Sequence, residues 1–187
     1  MSALSARLDS SPTAAPPHLY LTERPSVAAE PFRNAMGQLA GGVCVVTTAD
    51  RSGARFGLTV TSVTSVSLDP PLVLVCIDAR SRALPPLRAG GPLVVHMLSK
   101  RQEDLARRFA GPAPDRFAGV THRTLPGGGP LLDGVLAAAE CVVHQIVSAG
   151  DHEIVIARVV GVHAGESGPF NLSPLLYVDR RYAGIAP

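Results

Sequence analysis

The sequence predicts a mainly β domain, a closed β-barrel with a few short flanking helices. Three observations carry that expectation: apolar runs of strand length recur at short spacing, Gly and Pro mark the corners between them, and helix-period segments are few. A chain of 187 residues fits one such domain, with a core that needs no disulfide or metal staple. Apolar residues make up 46% and aromatics only 4%, with no Trp, so Val, Leu, Ile and Ala must fill that core.

Residues 1–28 mix Ser, Ala and Pro without a sustained period and read as a flexible N-terminal tail, leaving 29–187 for the folded domain. A helix is expected near Pro31, with Phe32, Met36 and Leu39 on one stripe and Gly41-Gly42 beyond its end, covering the barrel or a partner subunit. Val43 to Thr48 reads as a strand, and Asp50-Arg51-Ser52-Gly53 as a hairpin turn. From Gly57 to Leu68 apolar and hydroxyl side chains alternate, the pattern of one half-buried strand: Leu58, Val60, Val66 and Leu68 on one face, Thr59, Thr61, Ser65 and Ser67 on the other. Asp69-Pro70-Pro71 stops it, and the unbroken apolar run Leu72 to Ile77 suits a strand buried on both faces. Six Ser or Thr between Thr59 and Ser67 can hydrogen-bond a polar ring edge or a phosphate; they also suit a plain half-exposed sheet.

Asp78 to Ala83 is a short polar loop in which Arg80, Ser81 and Arg82 can bind a phosphate or stand solvated. Leu93 to Leu98 is a further strand with His96 as a satisfied core histidine. Ser99 and Gln102 form a capping box for a helix running to about Phe109, with Leu105 and Phe109 inward. Gly127-Gly128-Gly129-Pro130 is a turn and not a phosphate loop, and neither a Rossmann fingerprint nor a Walker A sequence occurs. Ala138 to Ser148 and Glu153 to His163 read as a hairpin joined by Ala149-Gly150-Asp151-His152, and Leu175 to Val178 as a last short strand.

Composition narrows the function. A net charge of +2 with 17% charged residues supplies no field for nucleic acid or an acidic membrane surface. No apolar run is long enough to span a membrane and no secretory leader is evident. Cys44, Cys76 and Cys141 are odd in number and lie in apolar runs, as buried thiols of a reducing compartment do, so a soluble cytoplasmic protein is expected. Neither paired carboxylates, a Ser-His-Asp set nor metal-ligand spacing stands out.

The order of the central stretch, glycine, hydroxyl-rich strand, Ser65-Val66-Ser67-Leu68-Asp69-Pro70-Pro71, then an apolar strand, resembles the signature of the flavin reductase-like family, the reductase components of two-component flavin-dependent monooxygenases. Ala149 to Val159 is similar to that family's Gly-Asp-His turn and following strand, and Tyr177-Val178-Asp179-Arg180-Arg181-Tyr182 to its C-terminal tail, so the resemblance spans Phe32 to Tyr182. It implies a split β-barrel of the FMN-binding type with Greek-key connections, a homodimer, hydride transfer from NADH or NADPH to FMN or FAD, and delivery of reduced flavin to a separate monooxygenase. Such chemistry needs no protein nucleophile, which fits the missing catalytic sets; the protein must stack two cofactors in line. By the same resemblance Thr59, Val60, Thr61, Ser62, Ser65 and Ser67 hold the flavin ring and ribityl chain. Asp78, Arg80, Ser81 and Arg82 serve its phosphate end, Phe117 in the matching segment Asp115-Arg116-Phe117 approaches it or equally forms a lid for the core, Asp151 holds the turn, and His152 positions the nicotinamide. Arg181 and Tyr182 close the nicotinamide side, although Tyr182 also suits a dimer contact. Val60 and Thr61 depart from the Ala or Asn the family often shows, which leaves the choice among FMN, FAD and riboflavin open. The alternative is a non-catalytic flavin-binding carrier or electron-transfer protein, which would have no need of His152.

Overall fold

The computed structural model describes residues 25–164 and 173–185. Most of the expected tail, residues 1–24, lies outside them. The described chain is mainly β, with helices α1 (Ala29–Gly37), α2 (Leu84–Arg88) and α3 (Glu103–Ala110). The strands, in order, are β1 (Gly41–Gly42), β2 (Cys44–Ala49), β3 (Arg55–Val60), β4 (Thr64–Leu68), β5 (Pro71–Asp78), β6 (Leu93–Met97), β7 (His122–Thr124), β8 (Pro130–Leu132), β9 (Ala137–Ala149), β10 (His152–Ala164), β11 (Leu175–Val178) and β12 (Arg181–Gly184). All pairings are antiparallel: a seven-stranded sheet ordered β3-β2-β6-β9-β10-β5-β4, a three-stranded sheet β1-β11-β12 and the hairpin β7-β8.

The seven-stranded sheet is not closed by hydrogen bonds, since β3 and β4 are its two ends. Yet only Thr61, Ser62 and Val63 join them, and four peptide steps span at most about 14 Å. The sheet must therefore roll until its edges nearly meet.

That geometry corrects the single strand expected from Gly57 to Leu68. The chain runs as two strands, broken where the Ser62 hydroxyl both accepts from the Cys76 amide and donates to the Cys76 carbonyl, 3.1 Å each, taking the place of a backbone partner for β5. Alternation survives this change of edge because the two halves happen to be in phase, but their environments differ: Val60 is buried, whereas Val66 and Leu68 are exposed, Leu68 at 94%.

A second correction concerns which strands are buried on both faces. On β5 only Val75 and Ile77 are fully buried, while Leu72, Val73, Leu74 and Cys76 stay half-buried. The doubly covered strands are β2 and β6. Val43, Val45, Val94 and Leu98 face one apolar cluster with Phe109, Phe117 and Leu175; Cys44, Val46, Leu93 and Val95 face the other with Val75, Ile77 and Val155. Covering by α3 and the 115–135 segment on one side and by the rolled sheet on the other fits the apolar runs Val43 to Val46 and Leu93 to Val95.

Other expectations hold. His96 is fully buried, with Nδ1 2.9 Å from the Val45 carbonyl and Nε2 accepting from the Leu132 amide at 3.1 Å. The Ser99–Gln102 capping box opens a 3-10 turn that leads into α3. The β9–β10 hairpin turns through Gly150, whose φ of 65° favours glycine. Helix α1 buries none of its residues, leaving Phe32 and Met36 exposed on its apolar stripe. No helix among the described residues is long and apolar enough to cross a membrane.

Candidate functional site

The end of β5 and the start of β10 lie side by side, because the antiparallel register pairs His152 with Asp78. The Ala79 amide donates to the Asp151 carbonyl at 3.0 Å, so the Gly-Asp-His turn and the Asp78–Arg82 loop, distant in sequence, form one rim. On that rim Arg80 grips Asp78 through its backbone amide, Nε and a terminal nitrogen at 2.8, 3.1 and 2.8 Å. These bonds hold the Asp78 carboxyl well below the ordinary carboxylate range and raise the Arg80 guanidinium.

Asp151 accepts from His152 Nδ1 at 2.7 Å, which lowers the Asp151 carboxyl and fixes the imidazole tautomer. With that proton committed, the neutral ring presents Nε2 as an acceptor; it becomes a second donor only as imidazolium. The His152 side chain is half-exposed, open to a ligand.

Beneath the rim Glu153 is buried, accepting from Arg88 of α2 at 2.6 Å and from the Ser148 hydroxyl at 3.1 Å. Helix α2 is thereby clamped to the β9–β10 hairpin. Ser81 precedes α2, with its amide on the Asp78 carbonyl at 2.8 Å and its hydroxyl accepting from the Ala83 amide at 3.3 Å.

Beyond Ser81 the loop borders a polar groove of about 360 Å³ shared with Arg55, Arg82, Arg116 and Phe117. The Arg116 guanidinium donates to the carbonyls of Gly57 at 2.7 Å and Gly111 at 3.0 Å. Burial, and after it the neighbouring Arg82 charge, pulls it below its ordinary pKa. Phe117 itself is buried, edge-on to Phe109 at 5.1 Å and to His122 at 5.2 Å. Its ring packs with the core while it also lines the groove.

A separate cleft of about 490 Å³ brings Thr59, Val60 and Thr61 together with Tyr182. Thr59 donates its hydroxyl to the Ala106 carbonyl at 2.7 Å, leaving the oxygen's lone pairs, and Arg107 stacks 4.8 Å above the Tyr182 ring. Arg180, not Arg181, lines this cleft; Arg181 is exposed and pairs with Asp179 at 3.3 Å. Ser65 and Ser67 sit on β4 at the sheet edge, in neither cavity, and Ser62 is engaged with Cys76. The other expected residues fall into three places within one chain, rim, groove and cleft, while Ser62, Ser65, Ser67 and Arg181 lie in none of them.

Arg55, Arg88, Arg107, Arg116 and Glu153 were not expected from the sequence. Sixteen arginines scattered along the chain hide which of them converge, and only the fold gathers Arg55 and Arg116 beside Arg82. Asp115-Arg116-Phe117 was the one pointer, through its aromatic rather than its cation. Among the described residues no group of His, Cys, Asp and Glu is placed to hold a metal ion.

Comparison with known proteins identifies the family. Residues 36–186 match the family model described as flavin reductase like domain. The chain is 40% identical over 154 residues to the actinorhodin polyketide dimerase of Streptomyces coelicolor, covering 82% of this chain and 85% of that protein. It is 37% identical over 163 residues to FMN reductase (NADH) RutF 2 of Rhizobium rhizogenes, covering 86% and 91%. The crystal structure of nitrilotriacetate monooxygenase component B from Mycobacterium thermoresistibile superimposes with a TM-score of 0.79 at 36% identity, over 84% of this chain and 87% of that one. This chain belongs to the flavin reductase like family.

Proposed function

We propose that the chain is an NAD(P)H:flavin oxidoreductase that reduces FMN or FAD and passes the reduced flavin to a separate monooxygenase. The observation that carries this reading is the register that sets His152 and Asp151 against Asp78 and Arg80, a nicotinamide-positioning turn beside a phosphate-binding loop. Relatives named as an NADH-dependent FMN reductase and as a monooxygenase component support it.

The bound cofactors would supply the hydride donor at the nicotinamide and the acceptor at the flavin ring; the protein supplies placement and a polar frame. The residues fit that task. The free lone pairs of Thr59 and the hydroxyl of Thr61 offer partners to a ring edge, and Tyr182 closes their cleft. Arg82 and Ser81 offer the phosphate contacts. His152 Nε2, held in one tautomer by Asp151, accepts from a carboxamide amine or, when protonated, donates to a phosphate.

In this reading the rolled sheet is a split β-barrel with Greek-key connections, and a second copy completes the particle. Exposed apolar side chains on α1, β4 and the far halves of β9 and β10, such as Phe32, Leu68 and Val162, support a homodimer. Three free thiols, two of them buried, support a reducing, cytoplasmic setting.

The test is steady-state oxidation of NADH and NADPH by the purified chain with FMN, FAD or no flavin. Turnover that depends on added flavin is expected. A yellow protein that retains flavin through gel filtration and oxidises neither nicotinamide would instead mark a carrier.

A further inference from the structure

Strands β11 and β12 are joined by two residues, Asp179 and Arg180, with Val178 facing Arg181 across the hairpin. Both loop residues sit at positive φ, 49° and 59°, in a turn whose second position glycine fills at no steric cost. Here that position carries one of the longest side chains. An arginine held in the left-handed region needs compensating contacts, and its surroundings supply two. One guanidinium nitrogen donates to Asn34 Oδ1 of α1 at 2.7 Å, and the residue lines the cleft that holds Thr59, Thr61 and Tyr182.

The charge of Arg180 is unmatched. Asn34 is neutral, and the adjacent Asp179 carboxylate is turned to Arg181 at 3.3 Å and to Gln38 at 3.5 Å. Among the described residues Arg180 forms no ion pair, and no acidic residue lines the cleft. The other cation of the cleft, Arg107, differs: it grips Glu103 through Nε and a terminal nitrogen at 3.0 and 2.6 Å and stacks over the Tyr182 ring. Val43, Val60 and Ala110 add apolar walls. Apolar faces, threonine hydroxyls and one unmatched cation frame a planar ring with negative charge on its edge. Arg180 is solvent-exposed, and a ring seated against it displaces water and lowers the screening of its charge.

We propose that Arg180 meets the negative charge of reduced flavin and makes the cleft selective for the reduced over the oxidised ring. The inference rests on the oxidoreductase reading and deepens it. Hydride transfer carries two electrons and one proton from the nicotinamide to the flavin. The nicotinamide ring is oxidised and becomes cationic, and the flavin is reduced and gains one negative charge, spread over its N1 and O2 edge. A cation beside that edge favours the reduced product over the uncharged oxidised ring, which raises the driving force for reduction.

The test is anaerobic equilibrium dialysis of the full chain against oxidised and chemically reduced FMN and FAD, in wild type, Arg180→Gly and Asn34→Ala. Arg180→Gly places at the turn the residue that the turn favours, and circular dichroism checks that each variant is folded. Arg180→Gly is expected to lower the ratio of reduced to oxidised affinity about tenfold, equivalent to about 30 mV in the potential of the bound flavin. Asn34→Ala cuts the tether to α1 but keeps the cation, so the ratio should stay within about twofold. An unchanged ratio in Arg180→Gly would overturn the proposal. Equal weakening of both redox forms would place Arg180 on the flavin phosphate and overturn it too, as would an Asn34→Ala variant whose ratio falls as far as that of Arg180→Gly. Failure of the oxidoreductase reading is separable. Chemically reduced flavin needs no turnover, so the ratio can hold while flavin-dependent NADH oxidation is absent.

Discussion

Severing the Glu153–Arg88 contact should loosen both the barrel and the site. Glu153 follows His152 on β10, and Arg88 ends the helix that begins just after Ser81 and Arg82. The Glu153 side chain is 8% exposed and that of Arg88 55%, so the cation is well hydrated and a full buried-pair penalty does not apply. A charge-assisted hydrogen bond to a buried carboxylate contributes about 1.5 to 3 kcal/mol. Partial screening on the Arg88 side places Arg88→Met near the middle, about 2 kcal/mol, with the Ser148 hydroxyl still serving the carboxylate. Glu153→Gln keeps an acceptor for Arg88 and should cost about 1 kcal/mol. Urea unfolding followed by circular dichroism for both variants and the double variant yields the coupling, expected at about 1 to 2 kcal/mol. The Michaelis constant for flavin should rise in Arg88→Met, since the loop bearing Ser81 and Arg82 loses its anchor. A coupling below about 0.5 kcal/mol would refute the clamp, leaving α2 held by the burial of Leu84, Pro86 and Leu87.

Two further outcomes follow from the core. Burial pushes His96 down to about 4 from 6.5, so the unfolded chain takes up this proton first. The stability is present in full above pH 6.5 and declines as pH falls toward 4, by about 3 kcal/mol at 1.36 kcal/mol per unit. His96→Gln should flatten that window in urea titrations, and an unchanged pH slope would contradict the assignment; Asp78 and Asp151, whose carboxyls are lowered from 3.8, affect stability only below it. Gly57→Ala places a Cβ 2.4 Å from the fully buried Phe109 ring, which is itself wedged against Phe117. Overpacking there should cost about 1 to 3 kcal/mol in a thermal melt, and a variant as stable as wild type would show that the ring moves freely.

Local sequence carried much of the architecture. The Ser99–Gln102 box, the Asp50–Gly53 turn, the long β9–β10 hairpin and the buried role of His96 all rest on residues close in the chain, and each appears as expected. What local pattern could not separate was environment. Leu58 and Leu68 share a phase, but one lies on a strand that covers the core and the other is exposed at the far edge of the rolled sheet. The break at Ser62 depends on a hydroxyl meeting Cys76 across the fold, which periodicity does not record. The short helix Leu84–Arg88 went unseen because two prolines in its first turn read as punctuation.

The site divides in the same way. His152, Asp151, Asp78 and Arg80 were named from two separated segments, and the β5–β10 register brings them together. Arg55 and Arg116 carried no linear mark, since a guanidinium becomes part of a site only through its neighbours. Of the two arginines in the tail, Arg180 and not the expected Arg181 lines the cleft, where Asp179 and Arg180, both at positive φ, turn the chain. Side-chain direction at a turn is not set by sequence order.

The most direct test of hydride transfer on this chain is an anaerobic stopped-flow measurement. Wild type and His152→Ala, each premixed with flavin, are combined with NADH, and loss of the flavin's visible absorbance is followed. Rapid bleaching in wild type is expected, with bleaching slowed about tenfold or more in His152→Ala while flavin affinity stays within about twofold. Wild type that leaves the flavin oxidised would contradict the oxidoreductase account itself, and His152→Ala bleaching at the wild-type rate would remove the Gly-Asp-His turn from it.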